Sequence, residues 1–411
     1  MSISVTKSRP TLAFAYSIEG LSSISANLLL NGVAFYMTQR FHWSATQNLL
    51  MAMMQGLCYA IGALLAGGVA RRLGKTGALI GVHTGIVAIV ALLQFAQTAW
   101  VCVPLLLAFT IVSALNWPLI ESTVTQGCSA HQMSRRITIY NLTWSGTAVL
   151  TIAVYGTILA NWQNGTLVIP LVLQSICLIL ALLLHRRKSA MPDTPAVAPA
   201  VAPEPELLHC RRLALWLSRI CMPASFIVAN SLMALFASLP ASVEMGVKLA
   251  TFVASLWMAG RVLAFVVLGL GTWWHTRPRL LLGAGVMMLF SFLLIVVPAE
   301  RFGIFANLPL ASVIGIIAIA ELLLGLAAGM IFSGSLYFGM VLSEGSTDHG
   351  GYHEALIGLG GVAGPGLAAV AQTMGSGSDW PGIATVAGLM LVTLLIAGGV
   401  TIRLRAPEPT P

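Results

Sequence analysis

The sequence predicts an all-α membrane protein: twelve transmembrane helices in two pseudo-symmetric six-helix bundles. Three observations predict it. Of 411 residues, 57% are hydrophobic and 8% are charged, about a third of the charged share of a soluble domain. The apolar residues gather in runs of roughly 20 or more, the length a helix needs to cross hydrocarbon. The chain also repeats itself faintly. A shift of 204 residues carries Met54, Gly56, Ala60, Leu64, Gly67 and Gly81 onto Met258, Gly260, Ala264, Leu268, Gly271 and Gly285, and Lys75 onto Arg279. A parallel repeat of about half the chain in a polytopic protein is the trace of a two-fold transporter.

Taken in order, the runs of the first half are residues 11–37, 46–70, 77–96, 99–124, 138–160 and 165–185. Those of the second half are 213–238, 248–270, 280–298, 309–341, 353–374 and 383–403. The tenth is long enough to tilt or to project past the bilayer. Met1 to Pro10, with Lys7 and Arg9, resembles the n-region of a signal peptide. The stretch after it, Thr11 to Met37, is too long for an h-region and reads as the first span.

Alternate loops differ in charge. One set holds Lys7 and Arg9; Arg71, Arg72 and Lys75; Arg135 and Arg136; Arg186, Arg187, Lys188, Arg211 and Arg212; Arg277 and Arg279; Arg403 and Arg405. The other holds only Arg40, Lys248 and Arg301 as cations. The positive-inside rule then makes both termini cytoplasmic in a multi-pass inner-membrane protein. The exception is the tenth connection, Ser343 to Tyr352, which carries Glu344, Asp348 and His349. Between the sixth and seventh runs the chain turns proline- and alanine-rich, a flexible cytoplasmic linker over residues 189–210. It separates an N-terminal bundle, 1–188, from a C-terminal bundle, 211–411.

The net charge of +8 does not imply nucleic acid, because the cations sit at span ends, where they orient the chain and meet lipid headgroups. The six cysteines are scattered without a C-x-x-C, so neither a disulfide framework nor a zinc site is expected. No G-x-x-x-x-G-K-[ST] motif is present, which removes ATP drive within this chain. His353-Glu354 opens like a zinc-protease motif, but the second histidine would fall on Ile357, and the motif fails. Two N-x-[ST] sequons, at Asn141 and Asn164, read as chance.

The turn after the second run is Gly67-Gly-Val-Ala-Arg-Arg-Leu-Gly-Lys75. With twelve spans, cytoplasmic termini and a central linker, it resembles the major facilitator superfamily, whose signature here is G-x-L-a-D-R-x-G-R. Gly67, Val69, Ala70, Arg72, Gly74 and Lys75 match or nearly match. The family's acid takes part in a latch that holds the cytoplasmic side shut; here Arg71 occupies that position. Arg71, Arg72 and Lys75 therefore either meet a helix C-terminus or an acid such as Glu344 or Asp348, or only set topology. Trp117-Pro-Leu-Ile-Glu121, Asn141-Leu-Thr-Trp-Ser145 and His353 to Pro365 resemble a poorly characterised bacterial branch of the superfamily. Many exporters of the superfamily carry Gly-Pro in span five. This chain carries Gly364-Pro365 in span eleven instead, which weakens a drug-export assignment. The resemblance implies that spans one, four, seven and ten line a central cavity, flanked by two, five, eight and eleven.

Charges inside a membrane cost a few kcal/mol each and face a cavity or a partner. Glu19 in span one, Arg261 in span eight and Glu321 in span ten are the leading candidates. Arg261 and Glu321 are expected to interact, directly or through water, as a proton-coupling pair or as a static ion pair. Glu121 and Glu354, with Arg219 nearby, are expected at the inward side between the halves, beside the gate residues Gly67, Arg71, Arg72, Gly74 and Lys75; interfacial snorkelling is the other reading. Asn27, Asn31, Asn116, Trp117, Asn141, Trp144, Asn230 and Tyr337 are polar or amphipathic groups in apolar runs. They either orient a substrate or tie helices and mark interfaces. Pro118 removes a backbone bond near the end of span four. The glycines of spans two and eleven permit close helix approach.

The expected function is secondary active transport of a small molecule by alternating access, without cofactor and driven by a proton gradient. The expected form is a monomer among membrane lipids, with no nucleic-acid partner. A lipid flippase or lysolipid transporter on the same fold is the alternative. An embedded enzyme would need a polar catalytic cluster, and none has suitable spacing.

Overall fold

A computed structural model describes residues 9–189, 205–375 and 379–403. Among the described residues ten helices are long and apolar enough to cross a membrane. The longest, Ala45–Leu93, is two spans, because Gly74 takes φ 68° and folds the chain back. Only glycine adopts that conformation without strain. The first span is a further crossing, assembled from Arg9–Ala26, a π-helical turn Asn27–Asn31 and Val33–Phe41. The twelve expected crossings are therefore present, and the fold is all-α.

Local sequence sets the helix ends. Ser44 and Gln47 form a reciprocal capping box that starts span two. Ser129 and Gln132 do the same for span five, Ala130–Asn161. Each box satisfies two N–H groups that would otherwise lack partners. Span five thus begins eight residues before the expected 138, because polar residues 130–137 continue the helix past the apolar run. Span four breaks at Leu115, between Ala99–Ala114 and Asn116–Thr125. Pro118 has no N–H to give the Ala114 carbonyl, which accounts for the break.

Span seven, Pro205–Phe236, corrects the linker boundary. Residues 205–210 were expected to be linker and are helical. Pro205 and Glu206 supply the reason: proline suits the first helical position, and an acid in the first turn faces the positive end of the helix dipole. The rest of the proline-rich stretch, 190–204, lies outside the described residues. Span eight is kinked at Gly246 (φ 71°) and interrupted at Ser255. Spans nine to twelve are Arg279–Ala299, Leu310–Leu342, Thr347–Met374 and Trp380–Arg403. Span six is Gly165–Ser189.

The two sets of six spans repeat one neighbour pattern. Span one packs on spans five and six, as span seven packs on eleven and twelve. Span six also packs on the helix of spans two and three, as span twelve packs on nine. The halves meet along two seams, two with eleven and five with eight. On the first, a Cβ at Gly56 would lie 2.5 Å from the Gly361 backbone, and one at Gly351 would lie 2.7 Å from the Ala63 carbonyl oxygen. On the second, Gly156 and Gly269 lie so close to Thr251 and Thr138 that a side chain at either would collide. Small residues let the backbones approach where lipid offers no hydrophobic drive.

Candidate functional site

The seams enclose a central cavity with about 1190 Å³ of atom-free space, part of it open to solvent. Its walls come from spans one, two, four, five, seven, eight, ten and eleven; spans three, six, nine and twelve contribute nothing. The repeat pattern explains this division, because the peripheral spans pack outside the seams.

Span one brings Glu19, Asn27 and Asn31 to the cavity. The π turn widens the helix at Asn27–Asn31, a distortion frequent at functional sites. Asn27 Nδ2 donates to the Ser23 carbonyl at 2.7 Å, and Asn31 Nδ2 donates to Asn27 Oδ1 at 2.6 Å. This chain fixes both amides on one face. Trp117, Trp144, Asn230 and Arg261 also line the cavity.

Arg261 is buried, 1% exposed, under four aromatic rings. Its guanidinium carbon lies 4.6 Å from the Trp257 ring centroid, 5.4 Å from Trp144 and Phe226, and 5.6 Å from Phe332. Trp144 comes from the first half and the other three from the second. Cation–π contacts supply about 0.5–2 kcal/mol each, against a desolvation cost of several kcal/mol for a buried ion. Four rings together offset much of that cost, and a carboxylate adds to them. Glu354 is the acid whose charge acts on Arg261. Arg261 and Glu321, expected to interact, form no direct ion pair. Glu321 is buried in span ten outside the cavity wall, and no charge acts on its carboxyl. Gly260 and Gly325 draw spans eight and ten into backbone contact, which sends the two side chains to different surroundings.

Glu121 and Glu354 were expected at the inward gate. Both are instead buried, 1% and 2% exposed; Glu354 lines the cavity and Glu121 is not part of its wall. Glu121 comes from span four and Glu354 from span eleven, so the pair spans the two halves. Tyr59 Oη donates to Glu354 Oε2 at 2.5 Å. His353 Nδ1 pairs with Ser335 Oγ at 2.9 Å, and its Nε2 lies 4.0 Å from Glu354 Oε1. Glu121 lies within reach of Glu354 and Tyr140, yet neither of its oxygens makes a well-formed hydrogen bond. Glu19 accepts from Ser23 Oγ at 3.4 Å and lies beside Tyr140.

Three further expectations move. Asn116 is buried without a hydrogen bond to either amide atom and does not line the cavity. Asn141 accepts from Trp144 Nε1 at 3.3 Å and lies in a second, smaller pocket with Tyr337. Tyr337 stacks on His275 at 4.0 Å and meets Trp274 edge-on. This aromatic cluster sits toward the basic-loop end, because the helices of spans five and ten run well past the cavity. Burial, reinforced by Arg211, lowers the His275 pKa to about 4.

At the basic-loop end Arg71 donates to both carboxylate oxygens of Asp348, at 2.9 and 2.8 Å. Gly67 lies directly against that carboxylate. Lys75 bonds Ser122 and Gln126, and Ser122 Oγ donates to the Gly345 carbonyl at 2.9 Å. Arg72 is exposed. At the opposite end Thr46 Oγ1 donates to Gln372 Oε1 at 3.0 Å.

Tyr59, Tyr140, His353, Trp257, Phe226 and Phe332 escaped the sequence reading as site residues. A tyrosine in an apolar run one helical turn from a glycine was the available signal for Tyr59. The aromatics carried none, since such residues usually face lipid or core.

A sequence-family profile described as Major Facilitator Superfamily matches residues 12–347. No curated protein matches the chain. Two crystal structures of the nucleoside transporter NupG, one of them a single-substitution mutant, superpose with TM-score 0.66. Each is 13% identical and covers 95% of this chain and 99% of its own.

Proposed function

The chain belongs to the Major Facilitator Superfamily, and from that premise we propose that it moves a small polar solute across the inner membrane by alternating access. It has a transporter fold and is not of an enzyme class. The two six-span bundles, the first ending with span six and the second beginning with span seven at Pro205, are the rocking units, with both termini cytoplasmic and the protein working as a monomer in lipid. The observation that carries the reading is Arg261: a cation held in a cavity between the halves, roofed by Trp144 from one half and Trp257, Phe226 and Phe332 from the other. A ring-bearing solute fits such walls, and Asn27, Asn31 and Asn230 offer amides to its polar edge. The nucleoside transporter fold makes nucleosides the first probe, by fold-level analogy.

Glu19 is the proposed coupling acid. It lines the cavity, and its Oε2 makes no hydrogen bond. A carboxyl placed there exchanges a proton when the cavity changes sides, so a proton gradient drives the cycle. The test is counterflow and gradient-driven uptake of labelled uridine and adenosine in proteoliposomes. Wild type shows saturable counterflow and accumulates solute when a pH gradient is imposed. Glu19→Gln keeps counterflow and loses accumulation. Accumulation intact in Glu19→Gln overturns the coupling role; lipid scrambling without counterflow of any solute overturns the solute reading.

A further inference from the structure

At Glu354 in the cavity wall three groups meet that the transport reading leaves unused as a set: Glu121, His353 and Glu354. One ligand atom from each falls within 4.8 Å of the other two. All three side chains are at least nine-tenths buried. We propose that they form a binding site for a divalent transition-metal cation, held between the two halves of the protein.

The first support is unmet bonding capacity. Both carboxylate oxygens of Glu121 and Nε2 of His353 are buried without a hydrogen bond. Glu354 and Tyr140 lie within reach of Glu121 but do not meet it in good geometry, and a cation would supply the partner that its oxygens lack. The second is the way the surroundings prepare the donors. Ser335 Oγ pairs with His353 Nδ1, which leaves Nε2 as the atom facing the cluster. Tyr59 Oη holds Glu354 Oε2, which leaves Oε1 toward His353. Metal-binding imidazoles and carboxylates are oriented by such outer partners. Gly350 contributes space, because a Cβ there would lie 2.8 Å from Glu121 Oε2.

The third support is charge. Glu19, Glu121 and Glu354 act on one another, and Arg261 is the cation that acts on Glu354. A divalent cation would offset the mutual repulsion of these groups when they ionise. One imidazole nitrogen with two carboxylates suits a borderline cation such as Zn²⁺, Co²⁺ or Mn²⁺ better than Ca²⁺ or Mg²⁺, which favour all-oxygen sets. Bonds of about 2.0–2.2 Å would require the donors, now up to 4.8 Å apart, to close by roughly an ångström through side-chain rotation. Glu121 belongs to span four and the other two to span eleven, so the cation would tie the halves and favour the arrangement in which these spans touch. It would act as a ligand or cargo of the cavity.

The test is equilibrium binding. Full-length protein in detergent, stripped of metal with a chelator and free of any histidine tag, is titrated with Co²⁺. One equivalent produces visible ligand-field bands of a mixed nitrogen–oxygen site, and Zn²⁺ abolishes them. His353→Gln shifts the bands and weakens binding at least tenfold. Glu121→Gln weakens it by a similar factor. His131→Gln, at an exposed position, changes neither. Metal-free melting curves establish that each variant is folded, and either folded variant suffices to decide. Wild-type protein that binds no equivalent of Co²⁺, or a folded Glu121→Gln or His353→Gln variant that binds it unchanged, overturns the site. Binding is read without transport, so a failed transport assay leaves this result standing.

Discussion

Arg71 grips Asp348 through both carboxylate oxygens, joining span two of one half to the first turn of span eleven in the other. In the family resemblance an acid occupies the position of Arg71. Here the polarity is reversed: the cation lies on span two, and the acid comes from the partner half. Asp348 is also favoured by the positive end of the span-eleven dipole. The ion pair joins the two halves at the place where the family's latch residue would stand, with its charges exchanged.

That pair is solvent-exposed, 67% and 50% by side chain, so its removal is expected to cost about 1 kcal/mol or less of stability. Its effect is on the equilibrium between access states. Arg71→Asp should increase labelling of cysteines placed along the basic-loop end of the cavity. Arg71→Asp combined with Asp348→Arg should restore the wild-type labelling. Equal labelling in all three proteins would remove the latch.

Arg261→Lys keeps the charge and loses the planar group that lies among four rings. Counterflow is expected to fall at least tenfold, and to be abolished in Arg261→Ala. Glu321→Gln should leave Arg261-dependent transport within twofold of wild type, because Glu321 touches neither Arg261 nor the cavity. A Glu321→Gln loss matching that of Arg261→Ala would reinstate the pair expected from the sequence.

Gly56→Val places a branched side chain against the Gly361 backbone. Spans two and eleven must separate, at about 1–3 kcal/mol. Cysteines introduced at Thr46 and Gln372, whose side chains bond at 3.0 Å in the native seam, should cross-link readily in an otherwise wild-type chain. Gly56→Val should slow that cross-linking several-fold.

Glu300 follows span nine, on the face opposite the basic loops. Burial first, then the nearby Asp379, raises its pKa from 4.5 to about 7. The folded state therefore holds this proton more tightly than the unfolded chain. The stabilisation is complete below about pH 4.5 and is lost as pH rises through about 7. Glu300 is only half-buried, and solvent screening reduces the effect to on the order of 1 kcal/mol. Melting temperature should fall between pH 5 and pH 8, and Glu300→Gln should flatten the fall. An unchanged profile in the variant would place the pH response elsewhere.

Much of the fold was legible because membrane crossing constrains every residue of a span. Apolar length marked the twelve crossings, and loop charge marked which ends lie together. The break in span four was legible in Pro118. The start of span seven was hidden by alanine and proline next to Pro205, where composition outweighed the helix-start signal. The polar residues of spans one, five and eight were legible as exceptions in apolar runs. Their sorting was not: Asn27 and Asn31 face the cavity, while Asn141 and Tyr337 face a separate pocket and Glu321 faces neither.

The sequence by itself determined the class of machine: a doubled, all-helical membrane protein whose rare internal charges had to be accounted for. Tertiary structure alone decided their partners. Helical periodicity assigns a residue to a face, but the face's neighbour depends on how glycines let two backbones approach. Gly260 and Gly325 bring spans eight and ten together so closely that Arg261 is sent toward Trp144 and Glu354, away from Glu321. Gly350 and Gly351 seat span eleven against spans four and two, which places Glu354 beside Glu121. Those contacts join residues from about 60 to nearly 290 positions apart, and no local pattern in the chain encodes them.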